Sequence, residues 1–403
     1  LRGIKYYKKR RIMRTDRELD IVVYGATGFT GRLVAEYLNN TYGVNQDVNW
    51  AMAGRSLDKL VSVRDEMGID LAVPLIVADG SDVQSIISMV DRASVVLTTV
   101  GPYQLYGNEL VAACAERGTD YVDLCGEPAW MHKMIADHSA AAEKSGARII
   151  FSCGFDSIPF DLGVLFLQNY AKKTLGSTVS RVKGRVRSMK GTFSGGTLAS
   201  FRATMAAAGK DRNLIGVLRN PFSLTPGFEG VDQPLGNKPE FDTSINSWVA
   251  PFVMASINTK NIHRSNMLMG HMYGEDFVYD EMLVTGPGDR GEAVAKAVAE
   301  DNSMANDPRK PGEGPSKEER ETGFYDVLMV GEHSDGRSVR ISVKGDKDPG
   351  YGSTSKMIAE SAVCLVKNPK IASGGIWTPA PAMGQKLIER LEAHAGLTFA
   401  VES

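Results

Sequence analysis

Apolar residues in this chain fall into short runs that end in glycine or a small polar residue, each followed by a stretch of helical period. The first run, 21–24, breaks at Gly25, and apolar positions at helical spacing then continue from residue 29 to about 38. Consecutive apolar residues over so few positions predict a strand buried on both faces, as in a parallel sheet. The same pairing recurs with strands at 49–53, 73–78, 94–100, 120–124 and 148–152, and helices at 57–67, 81–91, 107–117 and 129–144. Six such units before residue 165 predict an α/β fold, a Rossmann-type doubly wound parallel sheet spanning 19–165.

Beyond residue 165 the periodicity changes. Positions 181–187 alternate basic with small or apolar residues, which puts Arg181, Lys183, Arg185 and Arg187 on one face of a strand. Such a face is either solvated or a seat for an anionic group such as a phosphate. Gly195, Gly196 and Thr197 then lead into an alanine-rich helix at 198–210, a second helix start able to hold an anion or a carbonyl oxygen. Further strands are predicted at 248–257, 277–284, 323–331 and 338–344. The stretch 301–320, with Pro-Gly-Glu-Gly-Pro at 311–315, reads as a long surface loop. Residues 166–350 are therefore expected to form an α+β domain on a mainly antiparallel sheet, serving substrate binding and dimerisation. In 351–403, helices at 353–367 and 381–395 carry an apolar face (Met383, Leu387, Leu391) expected to pack back on the first sheet.

The glycines at the end of the first strand sharpen the picture. A strand turning tightly into a helix aims unpaired N–H groups and the positive helix end at one spot, a seat for pyrophosphate. In Gly25-Ala-Thr27-Gly28-Phe29-Thr30-Gly31 the first glycine makes the turn, the second admits the phosphates and the third lets helix and strand approach. The second strand ends in Arg55 and Ser56 where an NAD site would carry an acid, so NADP is expected in preference to NAD. Asp79 ends the third strand, at a position suited to the adenine edge. Gly101, Pro102 and Tyr103 end the fourth, on the nicotinamide side. Tyr103 is the first candidate for a proton donor, or else a platform for the ring; Glu127, Asp156 and Ser157 at neighbouring strand ends are acid–base alternates.

Charge and composition narrow the class. With 46 Lys plus Arg against 48 Asp plus Glu in 403 residues, bulk nucleic-acid binding is excluded. The four cysteines show no C-x-x-C and no paired histidines, so buried thiols in the cytoplasm are expected, with no metal site. No apolar run is long enough to span a bilayer. Basic residues crowd positions 2–14, so peripheral contact with anionic lipid is one expectation for the segment 1–18 and a disordered extension the other.

Taken together, Gly25–Gly31, Ala53-Gly-Arg55, Gly101-Pro-Tyr103, Tyr121-Val-Asp-Leu124 with Gly126-Glu127, and Gly154-Phe-Asp-Ser-Ile-Pro159 with Asp161-Leu-Gly163 resemble the saccharopine dehydrogenase-like oxidoreductases. Gly195-Gly-Thr-Leu-Ala-Ser200, Pro251-Phe-Val-Met-Ala255, Arg264-Ser-Asn266, Pro311–Pro315 and Gly375-Ile-Trp-Thr-Pro-Ala380 are similar to the trans-acting enoyl reductase branch. The resemblance runs from about residue 20 to 397. It implies NAD(P)-dependent reduction of an enoyl double bond, or a related unsaturated group, in lipid metabolism, with membrane association in eukaryotic relatives. Against it stands a catalytically idle NADP-binding sensor or partner in a lipid-handling complex, favoured by the lack of an obvious acid–base pair; the absence of a Tyr-x-x-x-Lys pair or a nucleophilic triad argues against short-chain dehydrogenase and hydrolase mechanisms.

Overall fold

The computed structural model describes residues 17–192, 195–310 and 312–402. The basic positions 2–14 and Pro311 of the 311–315 motif lie outside these residues. Within the segment expected as an extension, Arg17 is anchored. Its guanidinium donates to the carbonyl oxygens of Val90 and Arg117, both at 2.8 Å, tying the entry of the first strand to two later helix ends.

The alternating segments form β1 (Leu19–Tyr24), β2 (Trp50–Gly54), β3 (Leu75–Val77), β4 (Ala93–Thr98), β5 (Asp120–Val122) and β6 (Arg148–Ile150), all paired in parallel. Side chains alternate between the faces, as the pleat requires. Ile21 and Val23 join one core; Val22 and Tyr24 join another, under helices Val83–Arg92, Asn108–Arg117 and Pro128–Ser145. Burial on both sides explains why these strands read as continuous apolar runs.

The second sheet holds β7 (Arg181–Lys190), β8 (Glu240–Asp242), β9 (Ser247–Pro251), β10 (Val278–Gly286), β11 (Phe324–Glu332) and β12 (Ser338–Gly345). Near the end of the chain, β13 (Gly375–Trp377) pairs with β6 and β14 (Leu397–Glu402) pairs with β12. The sheet orders are β13-β6-β5-β4-β1-β2-β3 and β14-β12-β11-β7-β10-β9-β8. All pairs of the second sheet are antiparallel except β7 with β10. Helix Thr354–Lys367 lies against β1, β4 and β5, and helix Pro379–Arg390 packs on it and on Ile158–Leu175. Met383, Leu387 and Leu391 are all buried there.

Three expectations change. The strand expected at 248–257 stops at Pro251, which lacks a ladder donor, and Ala255–Leu268 is a helix. Its buried positions include Asn258, Asn261, His263 and Arg264, so no apolar stripe marked it. The 301–320 stretch contains short helices, Ser303–Asn306 and Lys317–Glu321, the second opened by a Ser316/Glu319 capping box. The basic face of β7 is neither solvated nor open to an anion. Arg185 is 1% exposed and bonded to Asp242 and Asp280, each at 2.7 Å; Arg181 pairs with Asp280, Lys183 with Glu332, and Arg187 with Asp326 and Glu402.

Candidate active site

The phosphate loop is built from glycines with different tasks. Gly25 has φ +90°, and a Cβ there would meet Val100 Cγ2 at 2.7 Å. A Cβ on Gly31 would overlap the Gly25 carbonyl oxygen, so helix Phe29–Tyr42 could not lie where it does. Gly28 is different: its φ is an ordinary −77°, and the nearest atom to a Cβ would be Gly25 O at 3.3 Å. A Cβ there would be tight against that oxygen, without the outright overlap met at Gly31. No side chain caps this helix start, which leaves its first N–H groups for an incoming phosphate. Thr27 lies beside Gly54 at the end of β2, Phe29 packs edge-on against Tyr351 at 5.2 Å beneath Arg320, and Thr30 faces the cavity described below.

At the end of β2, Arg55 is exposed and makes no ion pair with any described residue. Its charge is felt by Tyr24 and by the Asp79 carboxyl just beyond β3. Ser56 serves as the cap of helix Leu57–Glu66, accepting from Lys59 N at 3.4 Å. Asp79 accepts from the backbone N–H and hydroxyl of Ser81 at 2.9 and 2.8 Å, and these bonds, the backbone one foremost, hold its carboxyl below its usual range. The residues expected to bind cofactor thus line up along the carboxyl edge of β1–β4.

Where this edge meets the second sheet's helices lies a cavity of about 390 Å³. Its floor is Thr30, Thr99, Gly101, Tyr103, Gly126 and Asp156; its roof is Phe201, Met205, Leu218, Met254 and Ile257. Helix Gly195–Lys210 lines the same space with Gly196, Thr197 and Ser200 of its first two turns.

The candidate acid–base residues separate clearly. Tyr103 is buried in the cavity wall, tilted against Trp130 at 5.5 Å. Its hydroxyl donates to Thr98 O at 3.4 Å and accepts from Leu124 N at 3.0 Å, while burial foremost pushes its pKa up. That arrangement suits a wall better than a donor. Glu127 accepts from Tyr103 N (2.8 Å), Gln104 N (2.9 Å) and Gln104 Nε2 (3.0 Å), so its carboxylate holds the start of helix Tyr103–Tyr106. Ser157 is fully buried and accepts from Asn261 Nδ2 at 2.7 Å. Asp156 alone among the four candidates points a carboxyl at the cavity without a bond to another described residue; burial pushes it up to about 7.

Sequence reading missed Tyr351 and Thr354, which close one end of the cavity. Tyr351 is bonded to Thr197 at 2.8 Å and set by Asp348, whose carboxylate accepts from Tyr351 N and Gly352 N at 3.0 and 2.7 Å. The signal was present in Asp348-Pro-Gly-Tyr-Gly, a turn opening a helix. All four cysteines are buried without disulfides, and no metal-binding group occurs among the described residues. No described helix is long and apolar enough to cross a membrane.

Residues 21–150 match the family model described as the saccharopine dehydrogenase NADP binding domain. That agrees with the cofactor read from Arg55: the cofactor is NADP. A Mycobacterium tuberculosis protein assigned as a trans-acting enoyl reductase is 38% identical over 416 residues, covering 96% of this chain and 98% of the relative. The trans-acting enoyl reductase of Mycobacterium ulcerans is 35% identical, covering 93% of this chain and 96% of its own. Among solved structures, saccharopine dehydrogenase (L-Glu forming) of Saccharomyces cerevisiae superposes with a TM-score of 0.57 at 12% identity, covering 96% of this chain and all of that one. Homospermidine synthase of Legionella pneumophila gives 0.54 at 10% identity, covering 96% and 91%. These two share the fold; the mycobacterial relatives, alike over nearly their whole length, set the family. The chain belongs to the trans-acting enoyl reductase branch of the saccharopine dehydrogenase-like oxidoreductases.

Proposed function

We propose that this chain reduces an enoyl C=C bond of an acyl substrate in lipid metabolism, using NADPH. The observation that carries the reading is the cavity itself, which joins the phosphate loop at Thr30 to a roof of apolar side chains. When bound, NADPH supplies the hydride. The protein's own part is to hold and to exclude. The N–H groups at the start of helix Phe29–Tyr42 and the Arg55 guanidinium hold the phosphates. Tyr103, fixed by Glu127 and Leu124, forms a rigid wall beside the reacting groups. Gly196, Thr197 and Ser200 of helix Gly195–Lys210 add a small, polar stretch to the cavity lining. Phe201, Met205 and Leu218 keep water from the acyl chain.

The test is NADPH oxidation followed at 340 nm, as an assay wavelength of about that value suits the reduced nicotinamide, across enoyl thioesters of increasing chain length. Turnover with enoyl thioesters and none with imino acids is the expected result. Tight NADPH binding with no turnover on any acceptor would return the idle binding protein as the better reading.

A further inference from the structure

Reducing a C=C bond needs a proton as well as a hydride, and the cavity wall contains few groups that could give one. Among the described residues lining it, Asp156 is the one charged side chain; the other ionisable groups are the phenols of Tyr103 and Tyr351. The Tyr103 hydroxyl is bonded within the wall to Thr98 and Leu124, and the Tyr351 hydroxyl is shared with Thr197. Asp156 follows β6 in a turn closed on either side of it, by Ser157 N donating to Ser152 O at 3.0 Å and Ile158 N to Gly154 O at 2.9 Å. Its Oδ2 lies where a side chain on residue 126 would go, 2.9 Å from a Cβ built on Gly126. A glycine thus keeps the room in which this carboxyl stands.

We infer that Asp156 is the catalytic acid that protonates the substrate's α carbon. The inference rests on the enoyl-reduction reading. With NADPH bound, a C–H bond of its nicotinamide would break as the β carbon gains the hydride, the C=C electron pair would move toward the thioester carbonyl, and the α carbon would then take a proton as the Asp156 O–H bond breaks. Solvent water restores the proton to the carboxylate. The saturated acyl group and NADP⁺ are the products, so atoms and electrons balance.

The surroundings keep the carboxyl fit for this task. Glu127 and the Cys125 thiol lie behind the adjoining turn. Glu127 is engaged by three N–H donors, and burial pushes the thiol up, as it does the Tyr103 phenol. Helices Gly195–Lys210, Ala255–Leu268 and Thr354–Lys367 present hydroxyls and apolar groups to the cavity, with no charge among the described residues. With no cation to hold it ionised, burial raises the Asp156 carboxyl to about 7. It is protonated below that pH and loses its proton above, so turnover should fall as pH rises through 7.

The experiment compares the full-length chain with Asp156→Asn and Asp156→Glu, using NADPH and an enoyl thioester the wild type reduces. Asp156→Asn should lose roughly 10²–10⁴-fold in kcat, keep its NADPH-induced rise in Tm, and lose the alkaline limb of the pH profile. Asp156→Glu should recover part of the rate. Without substrate or cofactor, infrared spectra at pH 6 should show a neutral carboxyl band that disappears in Asp156→Asn. Turnover within threefold of wild type in Asp156→Asn, an unchanged alkaline limb, or no such band would overturn the assignment. If Asp156→Asn instead impairs only a cationic acceptor, raising its KM, the carboxylate is a counter-ion and the inference also falls. A wild type inactive on every enoyl thioester would count against the proposed function rather than against Asp156.

Discussion

Arg55 of the parallel sheet and Arg185 of the mixed sheet are placed in opposite ways, while Arg148 on β6 is buried against Asp120 much as Arg185 is against its acids. In the parallel sheet, Arg55 stands at a strand end, exposed and without an ion pair among the described residues. In the mixed sheet, Arg185 lies mid-strand, 1% exposed, between Asp242 and Asp280. The topology accounts for both. Parallel strands all finish on the same edge, so polar residues that follow the apolar runs collect there and face a ligand. Along the mixed sheet, β7 lies between β10 and β11, and acids on those strands or on the edge strand β8 meet its cations directly. Arg55 at its strand end thus bears no load in the frame, whereas the alternating cations of β7 are part of it.

Breaking the frame should have the larger effect. Arg185→Ala leaves two buried carboxylates without their shared cation, which should lower stability by about 3–5 kcal/mol in urea unfolding. Replacing Arg185, Asp242 and Asp280 together by apolar residues should restore much of that loss, because the fully buried charges then go together, although the part-exposed Arg181 loses a partner. A loss below about 1 kcal/mol for the single variant would mean that the pairs are solvated and that the contrast between the sheets is overdrawn.

The phosphate loop contains the same division on a smaller scale. Gly31→Ala must push the Gly25 carbonyl aside, so both the fold and nucleotide binding should suffer. Gly28→Val meets little but Gly25 O at 3.3 Å, so the chain should stay folded while its Tm stops responding to NADPH. If Gly28→Val still shows cofactor-induced stabilisation, the pyrophosphate does not sit on this helix start.

How far the sequence could be read follows from what each element buries. The six parallel strands and the glycine loop were legible because strand, turn and helix each leave a local pattern. Helix Ala255–Leu268 was not, because its buried face is made of Asn258, Asn261, His263 and Arg264, which resemble a solvated segment until their partners are known. Those partners are distant in the chain: Ser157 for Asn261, Glu281 for Asn258, and the Leu224 and Ile376 carbonyls for Arg264. The site shows the same limit. Tyr103, Glu127, Asp156 and Ser157 could be gathered at one sheet edge from spacing alone. That three of them have their polar groups engaged within the protein depends on Leu124 N, Gln104 and Asn261, and only the folded chain brings those together.

The smallest of these effects is also the most selective. If Arg55 reads the 2′-phosphate, Arg55→Ala removes a charge-assisted contact and should weaken NADPH binding by about 1.5–3 kcal/mol. NADH binding should hardly change, because that cofactor has no 2′-phosphate to lose. Stability without nucleotide should also stay within about 0.5 kcal/mol of wild type, since an exposed, unpaired side chain contributes little to the fold. This sets Arg55 apart from Arg185, whose removal is felt with no ligand present. Arg55→Lys sharpens the point: it keeps the charge but not the planar fork, so it should recover only part of the NADPH affinity. Fluorescence titration of both cofactors against the three proteins decides the matter. Equal losses for NADPH and NADH would show that Arg55 touches what the two cofactors share, and the preference for NADP would then have to arise elsewhere on the edge, with Ser56 the nearest group.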